Sequence, residues 1–140
     1  MRPIEVVGRD GVALDDVWEK RPSAYLTVSI PEFPNLFMLN GLNGPVGNFS
    51  LIEVAELQFA YVMQLIAFVR DGHCREVSAG REAADRFEDE RVEAAKNTVW
   101  ATGCGSWYLD DRGVPASWPW PLRRFREEMA KPKLEHYELL

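Results

Sequence analysis

The stretch FPNLFMLNGLNGPVGNFSLIEVAELQFAYVMQLIAFVR, from Phe33 to Arg70, holds three physical units end to end. Leu36-Phe37-Met38-Leu39 is a short unbroken apolar run after Pro34, which suits a strand buried on both faces. Asn40 to Asn48 contributes Gly41, Gly44, Pro45 and Gly47, the chemistry of a tight loop that exposes its backbone. Ser50 and Glu53 stand at the spacing of a capping box, in which each side chain serves a backbone donor at a helix start. The helix that follows has few polar side chains until Arg70-Asp71-Gly72 stops it.

A buried strand, a glycine-rich loop and a helix N-terminus together present bare backbone N–H groups to an electron-rich ligand. Glycine lets the backbone approach closely, and the helix dipole favours negative or partly negative atoms. The plainer reading is that any strand-to-helix connection needs a turn, and turns use Gly, Pro and Asn. The helix, over Leu51–Val69, spans about 28 Å at 1.5 Å per residue. It is apolar nearly all round, so it expects burial on most sides. The remainder of the chain offers only short elements to cover it, which implies a missing partner surface.

With 140 residues, 46% hydrophobic and 27% charged, the chain has the proportions of one ordinary globular domain. A formal charge of −6 and the lack of a basic cluster argue against nucleic acid or an anionic membrane as partner. Cys74 and Cys104 belong to no Cys-x-x-Cys pair, so neither a zinc site nor a disulfide scaffold is expected. The start, MRPIEVVGRDG, lacks the apolar core of a signal peptide. Glu53, Glu56, Gln58 and Gln64 make the long helix costly in lipid. Reduced cysteines and a cytoplasmic location are expected.

Phe33-Pro34-Asn35-Leu36-Phe37-Met38, followed by Asn43-Gly44-Pro45 and Asn48, closely resembles the C-terminal part of class B flavoprotein monooxygenases, best in their Baeyer–Villiger branch. The likeness continues through Asn97-Thr98-Val99-Trp100 and Gly103-Cys104-Gly105-Ser106-Trp107-Tyr108. Leu42 departs from it, since the family more often has Pro there, which leaves the loop less stiff. The resemblance implies a partial α/β fold: the C-terminal piece of a two-dinucleotide-binding-domain flavoprotein. By itself that piece is a few short strands, one long apolar helix, one charged helix and a Trp-rich loop. Residues 1–30 would end the NADP-domain-like segment and return to the FAD domain. Residues 31–72 would be the closing strand, glycine-rich loop and helix of the FAD domain. Residues 73–140 would be the charged helix, Trp-rich loop and tail. FAD would be met by Asn43, Val46, Gly47, Asn48 and Phe49, and NADP by Trp100. No catalytic residue and no metal ligand is expected in this segment. The two dinucleotide fingerprints and the catalytic arginine of the resembled enzymes lie upstream of it.

Along the chain, Ile4–Val7, the turn Gly8–Gly11 and the run Val12 to Trp18 read as a hairpin and a short helical turn. Tyr25–Ile30 reads as a second strand between Pro22 and Pro31. Gly72–Gly80 reads as a loop, and Arg81–Lys96 as a solvated surface helix laced by i,i+4 pairs. Asn97–Trp100 looks extended, and Gly103–Trp120 is a loop or hairpin around Asp110-Asp111-Arg112-Gly113. Leu122–Met129 is a short helix, and the tail beyond Pro132 is laid over the surface.

Four of the five tryptophans, Trp100, Trp107, Trp118 and Trp120, crowd together beside Tyr108. They form either a packing knot for an irregular segment or a wall for a flat ligand. Cys104 has no base at a telling position and reads as an inert thiol. Glu56 and Gln58 read as structural hydrogen-bonding groups. No Gly-x-Gly-x-x-Gly occurs, so no dinucleotide fingerprint is present.

Three functions are therefore open. The first is the C-terminal part of an FAD- and NADPH-dependent monooxygenase, an oxidoreductase that the resemblance implies inserts one oxygen atom from O2 into a ketone or soft heteroatom through a C4a-peroxyflavin. Its partners would be O2 and a small organic substrate, and the isolated chain would be inactive. The second is a non-catalytic binding or assembly module that homo-oligomerises through the 51–69 helix. The third is an α+β domain whose Trp-rich loop binds a small aromatic ligand.

Overall fold

The computed structural model describes residues 4–19, 21–47, 49–99 and 108–140. The N-terminal hairpin forms as its sequence implies. Val7 bridges Ala13, Asp10 and Gly11 take positive φ at the turn, and helix α1 (Leu14–Val17) follows at once. Arg9 ties this hairpin inward, donating to Glu138 at 2.8 Å and Glu76 at 3.2 Å.

Tyr25–Ile30 is not the strand its β-favouring residues suggest. It reverses on itself, with a Tyr25–Ser29 bridge and left-handed backbone at Leu26 and Thr27. The reversal is wholly buried, and long-range hydrogen bonds hold it there. Gln58 donates to Thr27 Oγ1 at 2.5 Å, and Ser29 Oγ accepts from the Ala79 N–H at 3.1 Å. Residues 36–39 are likewise no two-faced buried strand. Their pairing with the 25–29 reversal is a Phe37–Ser29 bridge and a Met38 N–Val28 O bond, Leu36 N turns back to the Phe33 carbonyl, and Leu39 stays 49% exposed. Asn35 and Asn40, both at positive φ, cut the segment too short for a longer ladder.

Helix α2 (Leu51–Arg70) starts and stops where its caps place it. Ser50 Oγ accepts from the Glu53 N–H at 3.4 Å, one half of the capping box. The other half is not made; the Glu53 carboxylate accepts from Arg126 Nε at 2.9 Å instead, docking helix α4 (Leu122–Ala130). Val54, Gln58, Tyr61, Val62 and Leu65 face the core. The opposite face is open: Ile52 is 74% exposed and Phe59 55%. By length and composition α2 is apolar enough to cross a membrane, yet its inward polar groups are all engaged with this chain.

The 72–80 segment and the C-terminal tail correct two expectations together. Strand β1 (Val77–Ala79) pairs antiparallel with strand β2 (Tyr137–Leu139), in the register Val77–Leu139, Ser78–Glu138, Ala79–Tyr137. The tail is thus structural, and Tyr137 reaches the α2 core to bond Tyr61 through their hydroxyls at 2.8 Å. Helix α3 (Arg81–Ala95) buries Phe87 and, against expectation for a solvated helix, Arg91. Residues 97 and 98 continue in turns on the Ala94 and Ala95 carbonyls rather than extending. Tyr108 to Ala116 forms the expected hairpin, closed by a Leu109–Pro115 bridge.

Candidate functional site

The glycine loop is pressed against the buried 25–29 reversal. A Cβ at Gly41 would lie 2.1 Å from the Thr27 carbonyl oxygen, so only glycine allows this approach. Asn43 follows at positive φ; it is 5% exposed, and its Oδ1 has no hydrogen-bond partner among the described residues. The Gly44 carbonyl accepts the Trp118 N–H at 3.1 Å, which registers the Trp-rich segment on the loop. Gly47 sits at φ +86° with open space where a side chain would be. Among the described residues, no acceptor takes the N–H groups of Val46, Gly47 or Phe49. Open backbone donors therefore gather just ahead of the α2 N-terminus, where the helix dipole also favours an acceptor.

A cavity of about 420 Å³ lies against this loop. Val46, Gly47 and Phe49 form one part of its wall, and the Pro115–Pro121 segment with Ser117, Trp118 and Trp120 another. The volume is that of a small-molecule site. No charged side chain is among the described residues lining it. Three of the five loop residues singled out for FAD therefore meet at one cavity. Asn43 is buried in the same loop but lines no part of it, and Asn48 lies outside the described residues. Trp100, Cys104 and Trp107 also lie outside them, although Val99, next to Trp100, is on the cavity wall.

The two readings of the tryptophans meet in Trp118. It packs edge-on against Phe125 at 5.1 Å and Trp120 at 4.8 Å, and it also lines the cavity. Trp120 in turn carries the Arg124 guanidinium 3.9 Å above its ring. Gln58 is the structural hydrogen-bonding group expected, linking Thr27 to the Asn40 N–H at 2.6 Å. Glu56 is not: it is exposed and takes no hydrogen bond among the described residues.

Sequence reading missed the device that holds the Trp-rich wall. Arg91, 2% exposed, grips Glu88 with two bonds of 2.8 Å and donates to the Pro115 carbonyl. Glu88 also accepts from Arg112 at 3.0 Å, and Arg112 bonds Asp110 in the hairpin turn. Burial alone would raise the Glu88 carboxyl, but Arg91 and Arg112 outweigh it and hold Glu88 below the usual carboxylate range. Asp110 is held low in the same way, by Arg112 and by the Val114 and Arg112 N–H groups, against its own partial burial. A charged helix with i,i+3 and i,i+4 pairs looks the same in sequence whether its arginine is buried or solvated.

The class these features define is a partial α/β segment: a glycine loop with open backbone donors, set beside an uncharged, aromatic-walled cavity. No family model matches the chain. It is 42% identical over 138 residues to an uncharacterized monooxygenase of Mycobacterium tuberculosis, covering 99% of this chain and 28% of the relative. It is 31% identical over 136 residues to the FAD-binding monooxygenase moxY of Dothistroma septosporum, covering 96% of this chain and 22% of the relative. In fold it matches an open cyclohexanone monooxygenase with TM-score 0.78 at 27% identity, covering 98% of this chain and 24% of that one. An oxidized steroid monooxygenase bound to NADP matches with TM-score 0.84 at 25% identity, covering 97% of this chain and 26% of that one. The chain is thus similar, along nearly its whole length, to a segment of the FAD-binding, Baeyer–Villiger-type monooxygenases that its residues resemble. It spans about a quarter of the length of these relatives.

Proposed function

We propose that this chain is the C-terminal part of an FAD- and NADPH-dependent monooxygenase that inserts one oxygen atom from O2 into a ketone or soft heteroatom. Residues 1–30 return the chain from the NADP-domain-like segment, 31–72 close the FAD domain, and 73–140 form the outer helix, Trp-rich loop and tail. The observation that carries the reading is the set of unused N–H groups at Val46, Gly47 and Phe49, in a segment similar to FAD-binding monooxygenases. Open donors ahead of a helix N-terminus, and an unpaired buried oxygen on Asn43, fit a flavin ring rich in carbonyl and N–H groups. When bound, FAD supplies the oxygen-activating redox chemistry, drawing hydride from NADPH.

What these residues do is hold charge and exclude water. The N–H groups of Val46, Gly47 and Phe49 would hold the flavin pyrimidine edge, where negative charge accumulates on reduction. Fixed before the reaction, they need no reorganisation as that charge appears. Trp100 is assigned to the NADP side. The open face of α2, with Ile52, Phe59, Met63 and Ile66 exposed, is where the remaining polypeptide of such an enzyme packs. A cytoplasmic setting is part of this reading.

The test has two arms. Purified as the 140-residue chain, the protein should bind FAD weakly or not at all and should not oxidise NADPH; tight stoichiometric yellow colour with NADPH oxidation refutes the partial-pocket reading. Grafted in place of the matching segment of a cyclohexanone monooxygenase, it should retain FAD. Gly47→Val in that graft strains a φ of +86° and should weaken FAD by about tenfold. The exposed α2 stripe also favours a second reading, an assembly module that pairs with another copy. Light scattering that finds a monomer without apolar-dye binding removes it.

A further inference from the structure

We infer that the open face of α2 is a helix-docking seam, and that Glu56 sets its register by pairing with a lysine or arginine on the helix that lies there. That this helix belongs to the remaining polypeptide of the enzyme rests on the proposed function; the chemistry of the seam does not. Ile52, Glu56, Phe59, Met63, Ile66 and Arg70 are spaced alternately by four and three residues. All six therefore fall within an arc of about 80°, along a line about 27 Å long. Every one of them is exposed. The four-three alternation is the core spacing of a two-helix seam, narrower than the stripe a helix turns to a globular core. Helix α4 leaves it clear. It docks on the neighbouring flank, where Arg126 bonds Glu53 and the Ala130 carbonyl accepts from Gln64 at 3.2 Å.

Glu56 stands inside this seam and takes neither a hydrogen bond nor an ion pair among the described residues. Helix α2 carries no basic residue before Arg70, and Arg70 is bonded to Asp71 through Nε at 2.8 Å and Nη2 at 3.2 Å. A covered carboxylate is costly unless an opposite charge meets it, so the occupant of the seam must bring one. A second copy of the chain does not. Laid parallel and in register, two α2 helices oppose Glu56 to Glu56. Laid antiparallel with the stripes fully overlapped, they oppose Ile52 to Arg70, Phe59 to Met63 and Glu56 to Ile66, which leaves the carboxylate against an apolar side chain. A formal charge of −6 on each chain adds repulsion to both arrangements. A helix with apolar residues at the same alternation and one lysine or arginine opposite Glu56 satisfies every position. A single charged core position also fixes which register is allowed. The chain spans 28% of the M. tuberculosis relative, so most of that protein lies outside the matched segment and is available to supply such a helix.

The probes are two amphipathic helical peptides with leucine at the core positions of three heptads and uncharged polar residues elsewhere. They differ at one central core position, which is lysine in one and glutamate in the other. Each carries a fluorophore and is titrated into the 140-residue chain, with binding read by anisotropy. The lysine peptide should bind about tenfold more tightly than the glutamate peptide. In Glu56→Lys, a change at an exposed position that leaves the fold intact, that preference should reverse. The reversal is the decisive reading, since a chain of net charge −6 attracts any basic peptide. Phe59→Ser with Ile66→Ser should weaken both peptides alike. No binding, a lysine preference that is absent or survives Glu56→Lys, or peptides indifferent to the serine pair overturn the inference. A tight dimer of the chain alone by light scattering gives the face to a second copy. Uptake by phosphatidylcholine vesicles in place of the peptide gives it to lipid, for which α2 is long and apolar enough. Either result overturns the seam. FAD lost from the graft with the charge swap intact removes the enzyme reading and leaves the seam, whereas FAD kept in the graft with no charge swap removes the seam alone.

Discussion

Replacing Arg91 by methionine should be among the most damaging single changes outside the apolar core. Methionine fills much of the same channel but removes both 2.8 Å bonds to Glu88 and the bond to the Pro115 carbonyl. Breaking one side of a buried ion pair costs about 3–5 kcal/mol, because the remaining charge is left stranded. Glu88 keeps 23% side-chain exposure and its 3.0 Å contact with Arg112, which places the expected loss at the lower end, about 3 kcal/mol. For a chain of this length that is about 10 °C in Tm. Arg91→Lys keeps the charge but not the planar fork, and should lose about half as much. The sign test is the double variant Arg91→Met/Glu88→Gln, which removes both charges and should be more stable than Arg91→Met alone by about 1 kcal/mol or more. Urea unfolding followed by tryptophan fluorescence measures wild type, Arg91→Met, Arg91→Lys, Glu88→Gln and the double variant. Arg91→Met within about 0.5 kcal/mol of wild type, a typical surface substitution, refutes the buried-lock reading. So does a double variant whose loss is the plain sum of its singles.

Gly41→Ala should destabilise the chain by about 2–3 kcal/mol, since the new Cβ meets the Thr27 carbonyl at 2.1 Å; a melting curve that is unchanged refutes the close approach. Glu88 and Asp110 are both held below their ordinary values, so their contribution is present above the unfolded carboxylate range, about pH 4, and is lost as pH falls through the folded values. Stability measured downward from pH 5 should therefore drop, and drop less in Arg91→Met/Glu88→Gln. At the alkaline end, burial pushes Tyr61 up to about 12 and raises Tyr25 and Tyr137 as well. Their contribution is present below the unfolded value, about 10, and is lost as pH rises from there through the folded values; unfolding should coincide with tyrosinate absorbance. On the open face of α2, Phe59→Glu with Ile66→Lys should leave stability within about 0.5 kcal/mol while reducing apolar-dye binding, because both side chains are exposed, at 55% and 40%.

The residues by themselves determined several features that depend on local chemistry. Ser50 and the Arg70-Asp71-Gly72 stop bound α2, because caps act on the nearest turn. Asn40, Asn43 and Gly47 marked the loop, because few residues tolerate left-handed backbone. The uniformly apolar surface of α2 announced that this chain alone would not cover it. The motifs from Phe33 and Asn97 onward carried the likeness to flavoprotein monooxygenases, which the M. tuberculosis relative at 42% identity and the steroid monooxygenase fold bear out.

Only the tertiary structure decided the features whose partners lie far away along the chain. Val77–Ala79 and Tyr137–Leu139 are too short to announce themselves and become strands only by meeting each other. Tyr25–Ile30 has strand-forming residues, but buried bonds from Gln58 and Ala79 hold it as a reversal. Arg91 looks like an ordinary surface residue until packing strips its water, and it then needs Glu88 and the Pro115 carbonyl. Local propensity acts over a turn or two, whereas burial depends on what the rest of the chain lays on top.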